Sequence, residues 1–116
     1  MLEQLRDIGK PFLEAMKEAF PDRGWRMCGP ASIALSRIIS AQTGIPIGKD
    51  LPGEHLEVAV GIFDPQGSED RISRMEEQTY IRYYDGEEGV TYIDPIYGLL
   101  MAGKEDLTEA IQVEEF

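Results

Sequence analysis

Apolar positions in this chain change period twice, and each change predicts a different kind of element. Leu2, Leu5 and Ile8, then Phe12, Leu13, Met16 and Phe20, keep helical spacing that Gly9 and Pro11 interrupt. The spacing predicts a short turn followed by a helix over 11–20, closed by the turn cluster Pro21-Asp22-Arg23-Gly24. A second helix is predicted from about 30 to 43, stopping at Gly44. Its Ile33, Ala34, Leu35, Ile38, Ile39 and Ala41 cover most of the circumference, as in a central buried helix. The stretch 45–54 carries Pro46, Gly48, Pro52 and Gly53 and reads as an irregular loop.

From Leu56 the period becomes two. Leu56, Val58, Val60 and Ile62 alternate with their neighbours and predict a strand over 56–63, then a turn over 64–67 and a polar loop over 68–74. Residues 78–84 and 90–94 form two further strands joined by the turn 85–89. If Tyr84 stands opposite Val90, then Tyr80 stands opposite Asp94, and Gln78 lies one diagonal step away on the same face. A slip of one residue would turn Asp94 to the other side. Residues 98–103 read as a connection, and 107–113 as a short final helix capped by Asp106. The expected class is α+β, with a central buried helix packed on a small antiparallel sheet in one domain over 1–116.

Composition narrows the function. Twenty-two acidic against eleven basic residues leave a net charge of -11, which repels phosphate backbones and anionic lipid; neither a nucleic-acid nor a membrane partner is expected. Acidic pairs such as Glu69-Asp70, Glu76-Glu77, Glu87-Glu88 and Glu114-Glu115 read as solvated surface or as bait for a basic partner. A single cysteine excludes an internal disulfide, and with no signal-peptide pattern at the N-terminus it suits a reducing, cytoplasmic compartment. One histidine and one cysteine cannot close a zinc site, and there is neither a calcium-loop spacing nor a glycine-rich phosphate cradle, so no metal or cofactor is expected.

The remaining candidate chemistry centres on Trp25-Arg26-Met27-Cys28-Gly29-Pro30-Ala31-Ser32, which sets the only cysteine at the start of an apolar helix. Unpaired N–H groups and the positive end of the helix dipole favour a thiolate there. Pro30 suits a first turn, and Gly29 lets backbone approach closely. A lone cysteine is equally at home as a small buried hydrophobe.

A helix led by Cys28, then a hairpin ending in Tyr92-Ile93-Asp94-Pro95-Ile96-Tyr97-Gly98, resembles the papain-like and transglutaminase-like cysteine enzymes over roughly residues 24 to 98. In that family the nucleophilic cysteine opens the central helix, a histidine opens one strand and an aspartate closes the next, commonly in an Asp-Pro pair. The resemblance implies Cys28 as nucleophile and Asp94 as the orienting acid. The wording Cys-Gly-Pro-Ala-Ser is closest to the bacteriocin-leader-processing peptidases, whose glutamine shortly before the cysteine has no counterpart in residues 21–27. The base position also departs. Laying residues 78–84 on the family's histidine-led strand places Gln78 where the histidine belongs, and an amide cannot take a proton from a thiol. The one histidine, His55, opens the preceding strand; an antiparallel meander sets it roughly 20 Å from Asp94. His55 serves as base if that strand is arranged otherwise, or if the Pro/Gly loop before it brings His55 to the thiol.

Two functions follow from the resemblance. One is thiol-dependent amide chemistry on a peptide or protein, whether cleavage, deamidation or acyl transfer, with Cys28, Gln78, Asp94 and His55 as candidate site residues. The other is a catalytically degraded domain of the same fold that binds a partner or serves as a subunit.

Overall fold

Leu5, Ile8, Gly9 and Phe12 form one continuous stripe at helical spacing, and that stripe decides the first element. In the computed structural model, which describes residues 1–20, 28–65, 78–87, 89–95, 98–101 and 103–111, helix α1 spans Leu2–Ala19 with Pro11 inside it. The expected turn before residue 11 is therefore helical. Pro11 lacks the N–H that would bond back one turn, a defect of about 3 kcal/mol in a helix interior. Leu5 and Gly9 are nonetheless buried, and Ile8 and Phe12 pack against the core, so packing of the stripe outweighs the local break.

Helix α2 spans Cys28–Thr43. Ala31, Ser32, Ile33, Leu35, Ser36 and Ile39 are buried, whereas Ala34, Arg37 and Ala41 are exposed, so the helix buries one face rather than its whole circumference. It ends as the sequence predicts. Gly44 adopts φ +80°, and its N–H donates to the Ser40 carbonyl at 2.8 Å.

Five strands follow: β1 (Glu54–Pro65), β2 (Gln78–Asp85), β3 (Val90–Asp94), β4 (Gly98–Met101) and β5 (Gly103–Ile111). They form an antiparallel sheet in the order β4-β3-β2-β1-β5. The hairpin register is the expected one, with Tyr84 opposite Val90 and Ile81 opposite Ile93. Three expectations are corrected. Strand β1 continues through Asp64 and Pro65, where a turn was predicted; residues 98–101 form an edge strand rather than a connection; and the predicted final helix is β5, which pairs along β1 from Val58–Ile111 to Pro65–Gly103. Helix-favouring Glu, Leu and Ala within β5 yield to the ladder, because strand preference is set mainly by what the strand packs and pairs with. The predicted loop over 68–74, Gln66-Gly67, residues 112–113 and the cluster 21–24 lie outside the described residues.

Both helices lie on one face of this sheet. Leu5 of α1 and Leu35 and Ile39 of α2 form a core with Leu56 of β1, Ile81 and Tyr83 of β2 and Ile93 of β3. Each fully buried aliphatic side chain there contributes about 1.5–3 kcal/mol by leaving water. Alternation then assigns the intervening residues, His55, Glu57 and Ala59 on β1, Tyr80, Arg82 and Tyr84 on β2, and Tyr92 and Asp94 on β3, to the opposite face. Residues 44–53 run beside the sheet as the expected irregular loop; the Leu56 N–H donates to the Pro46 carbonyl and the Gly48 N–H to the Leu56 carbonyl. Among the described residues, no helix is long and apolar enough to cross a membrane.

Candidate functional site

The first turn of α2 is seated on the sheet by a buried hydrogen bond from Ser32 Oγ to the Thr79 carbonyl, 3.0 Å long. Gly29 faces the same strand: a Cβ placed on it would meet Thr79 Oγ1 at 3.8 Å. Cys28, one residue earlier, is partly exposed. From Gly29 a groove of about 550 Å³ opens between α2, at Pro30, Ile33 and Ala34, and the far wall of Val60 and Ile111. The lining is largely aliphatic, with Thr79 and Arg37 supplying its polar side chains.

The predicted partners of Cys28 are distributed differently from the expectation. Asp94 is almost fully buried, but it follows Ile93, which packs against α2, and so takes the face with Tyr80 and Tyr92. Gln78 pairs with Gly61 and shares the parity of Tyr80. Thr79 is the β2 residue that meets the start of α2. The hairpin register holds as read; what it could not reveal is which of its two faces the helix covers.

His55 pairs with Tyr84 at the turn end of the hairpin. Five residues of β2 separate that end from Thr79, about 17 Å at strand spacing, and His55 lies on the face away from the helices. His55 and Asp94 therefore lie toward opposite ends of the hairpin, as the meander implies.

What surrounds His55 is a second polar cluster. Its ring stacks on Tyr84 with centroids 4.5 Å apart and planes 8° from parallel. Nδ1 lies 2.7 Å from the Gly53 carbonyl oxygen, and Nε2 lies 3.2 Å from Glu57 Oε1. Glu57 is itself buried; its Oε2 accepts from Arg82 Nη1 at 3.0 Å, and its Oε1 accepts from the Asp50 N–H at 3.4 Å. A smaller cavity of about 320 Å³ adjoins His55 and Tyr84 beneath Gly53, Gly86 and Glu87. Sequence reasoning missed Glu57 and Arg82, although the every-second-residue pairs His55/Glu57 and Arg82/Tyr84 on adjoining strands carry the signal.

On the helix side, the Tyr83 hydroxyl donates to Glu54 Oε2 at 2.5 Å. Burial, and then the hydrogen bond and charge of Glu54, push this phenol well above the ordinary tyrosine range. Among the described residues, no group of three or more His, Cys, Asp and Glu is placed to hold a metal ion. Comparison with family models, curated proteins and solved structures finds no match to this chain.

Proposed function

We propose that the chain is a papain-like or transglutaminase-like domain that holds a peptide or protein partner in the groove at the start of α2, without thiol chemistry there. One observation carries this reading: the β2 residue against the helix start is Thr79, a side chain with no basic nitrogen, while Asp94 and His55 belong to the other face. The aliphatic lining suits an apolar anchor side chain. A net charge of -11 favours basic residues flanking that anchor. A fluorescent peptide with leucine between lysines should bind, more weakly as salt rises, and its glutamate-flanked counterpart should not. Ala34→Trp, at an exposed helix position, should fill the groove and abolish binding; undiminished binding to that variant would remove the groove from the proposal.

A second reading is favoured by the partial exposure of Cys28, one residue before Gly29, which lines the same groove. In thiol-dependent amide chemistry a base would take the Cys28 thiol proton as sulfur adds to a peptide carbonyl, pass that proton to the amine as the C–N bond breaks, and water or a second amine would then release the acyl group from sulfur. A vinyl sulfone on the leucine-anchored peptide separates the two readings, since covalent capture at Cys28 supports chemistry and reversible binding without capture supports a binding domain. The geometry also makes a specific forecast. Thr79→His should set an imidazole against the helix start and raise the alkylation rate of Cys28 by iodoacetamide near neutral pH, whereas Gln78→His should leave that rate unchanged. Acceleration by Gln78→His alone would place the opposite parity at the helix.

A further inference from the structure

We propose that His55 carries protons on both ring nitrogens and acts as a pH-sensitive latch that holds the loop 48–53 against the sheet. Both atoms that face its nitrogens are acceptors: the Gly53 carbonyl oxygen at 2.7 Å from Nδ1, and Glu57 Oε1 at 3.2 Å from Nε2. A neutral imidazole has one N–H and satisfies one of them, leaving a lone pair directed at an oxygen on the other side. The imidazolium satisfies both.

The groups facing the ring act in both directions. On β1, Glu57 is buried with His55 and stays acceptor-rich, because Arg82 Nη1 donates to Oε2 and the Asp50 N–H donates to Oε1. On β2, the flat face of Tyr84 lies against the ring in the arrangement that attracts a cation. Glu87, in the turn after β2, lines the cavity that His55 adjoins and adds negative charge. Arg82 opposes the second proton through its own charge, but it shares the carboxylate with the ring and its shorter contact falls on the other oxygen. Glu54, the next acid along β1, is engaged by Tyr83 on the opposite face.

The latch has something to hold. Gly53 and Asp50 both sit in the left-handed region, at φ +72° and +57°, so the loop follows a tight path. His55 grips it at the Gly53 carbonyl, and Glu57 grips it at the Asp50 N–H. When the ring loses its second proton to solvent, one of its two contacts becomes acceptor against acceptor, and the loop loses that grip.

Nitrogen NMR of the isotope-labelled chain tests this without a variant. At mildly acidic pH both imidazole nitrogens should carry protons, and as the spectra show the second proton leaving, the exchange protection of the Asp50 and Gly48 amides should fall together by about tenfold. Protection is taken relative to the unfolded chain at each pH, which removes the intrinsic pH dependence of exchange. In His55→Gln, protection at those two amides should no longer follow pH. A ring that holds a single proton already at mildly acidic pH, or loop protection that does not follow the loss of the second proton, would overturn the latch.

Discussion

The two faces of the sheet solve the same burial problem with opposite chemistry. Against the helices, Leu56, Val58, Ile81 and Ile93 meet Ile33, Leu35 and Ile39, and stability comes from non-directional removal of apolar area. On the other face, His55, Glu57, Arg82 and Tyr84 occupy the turn end, and Tyr80 packs edge-on to Tyr92 farther along, with ring centroids 6.0 Å apart. Buried polar groups stabilise only while each partner is present, since a group left unpaired in low dielectric costs more than the pair contributed. The helix face should therefore tolerate changes of shape better than the polar face tolerates removal of a partner.

Three measurements test this contrast. The largest effect is expected at the helix face: Leu35→Ala leaves a cavity beneath both helices and should cost about 2–5 kcal/mol in denaturant unfolding, while Leu35→Met, which keeps the volume, should cost less than about 1.5 kcal/mol. Equal losses for the two would mean that shape, not area, governs that face. Next comes the polar face, where Glu57→Ala removes the carboxylate that Arg82 and His55 share and should cost about 2–3 kcal/mol, less than for a fully enclosed pair because Arg82 keeps 13 % of its side-chain area in solvent. A double-mutant cycle with Arg82→Ala should return a coupling energy of about 1–3 kcal/mol; a value under about 0.5 kcal/mol would class the pair with surface salt bridges and erase the contrast.

The smallest effect concerns the polar exception on the helix face. Because burial and Glu54 raise the Tyr83 phenol, the folded state favours the protonated hydroxyl. That contribution is fully present below the ordinary tyrosine range, and it is lost as pH rises from about 10 upward through the higher folded value. Tyr83→Phe should flatten the alkaline fall in stability, and an unchanged alkaline limb would assign it to other groups.

The candidate site was legible in part. Cys28, Gly29 and Pro30 stand at the start of α2 because local signals place them there, and Ile81–Ile93 pairing follows from a hairpin whose turn length sets its own register. What could not be read is the parity that brings Thr79 to the helix. Both faces of β2 carry large apolar or aromatic residues, with Ile81 and Tyr83 on one and Tyr80 and Tyr84 on the other, so its pattern does not say which face the helices cover. The polar cluster was hidden for the same reason, since His55 and Glu57 become partners of Arg82 and Tyr84 only once β1 and β2 are aligned.

Local signals in the chain specify the body of α2 with its glycine stop, the alternating strand β1, and the β2–β3 hairpin with its register. Tertiary structure decided the rest. It carried α1 through Pro11 because a continuous apolar stripe gains more from packing than one missing hydrogen bond costs, and it drew residues 103–111 out of a helical preference because β1 offers a full ladder of partners. It also chose the face of the sheet for both helices, and with it the partners of Cys28. That choice rests on the sum of apolar area buried across several elements, a quantity no single segment contains.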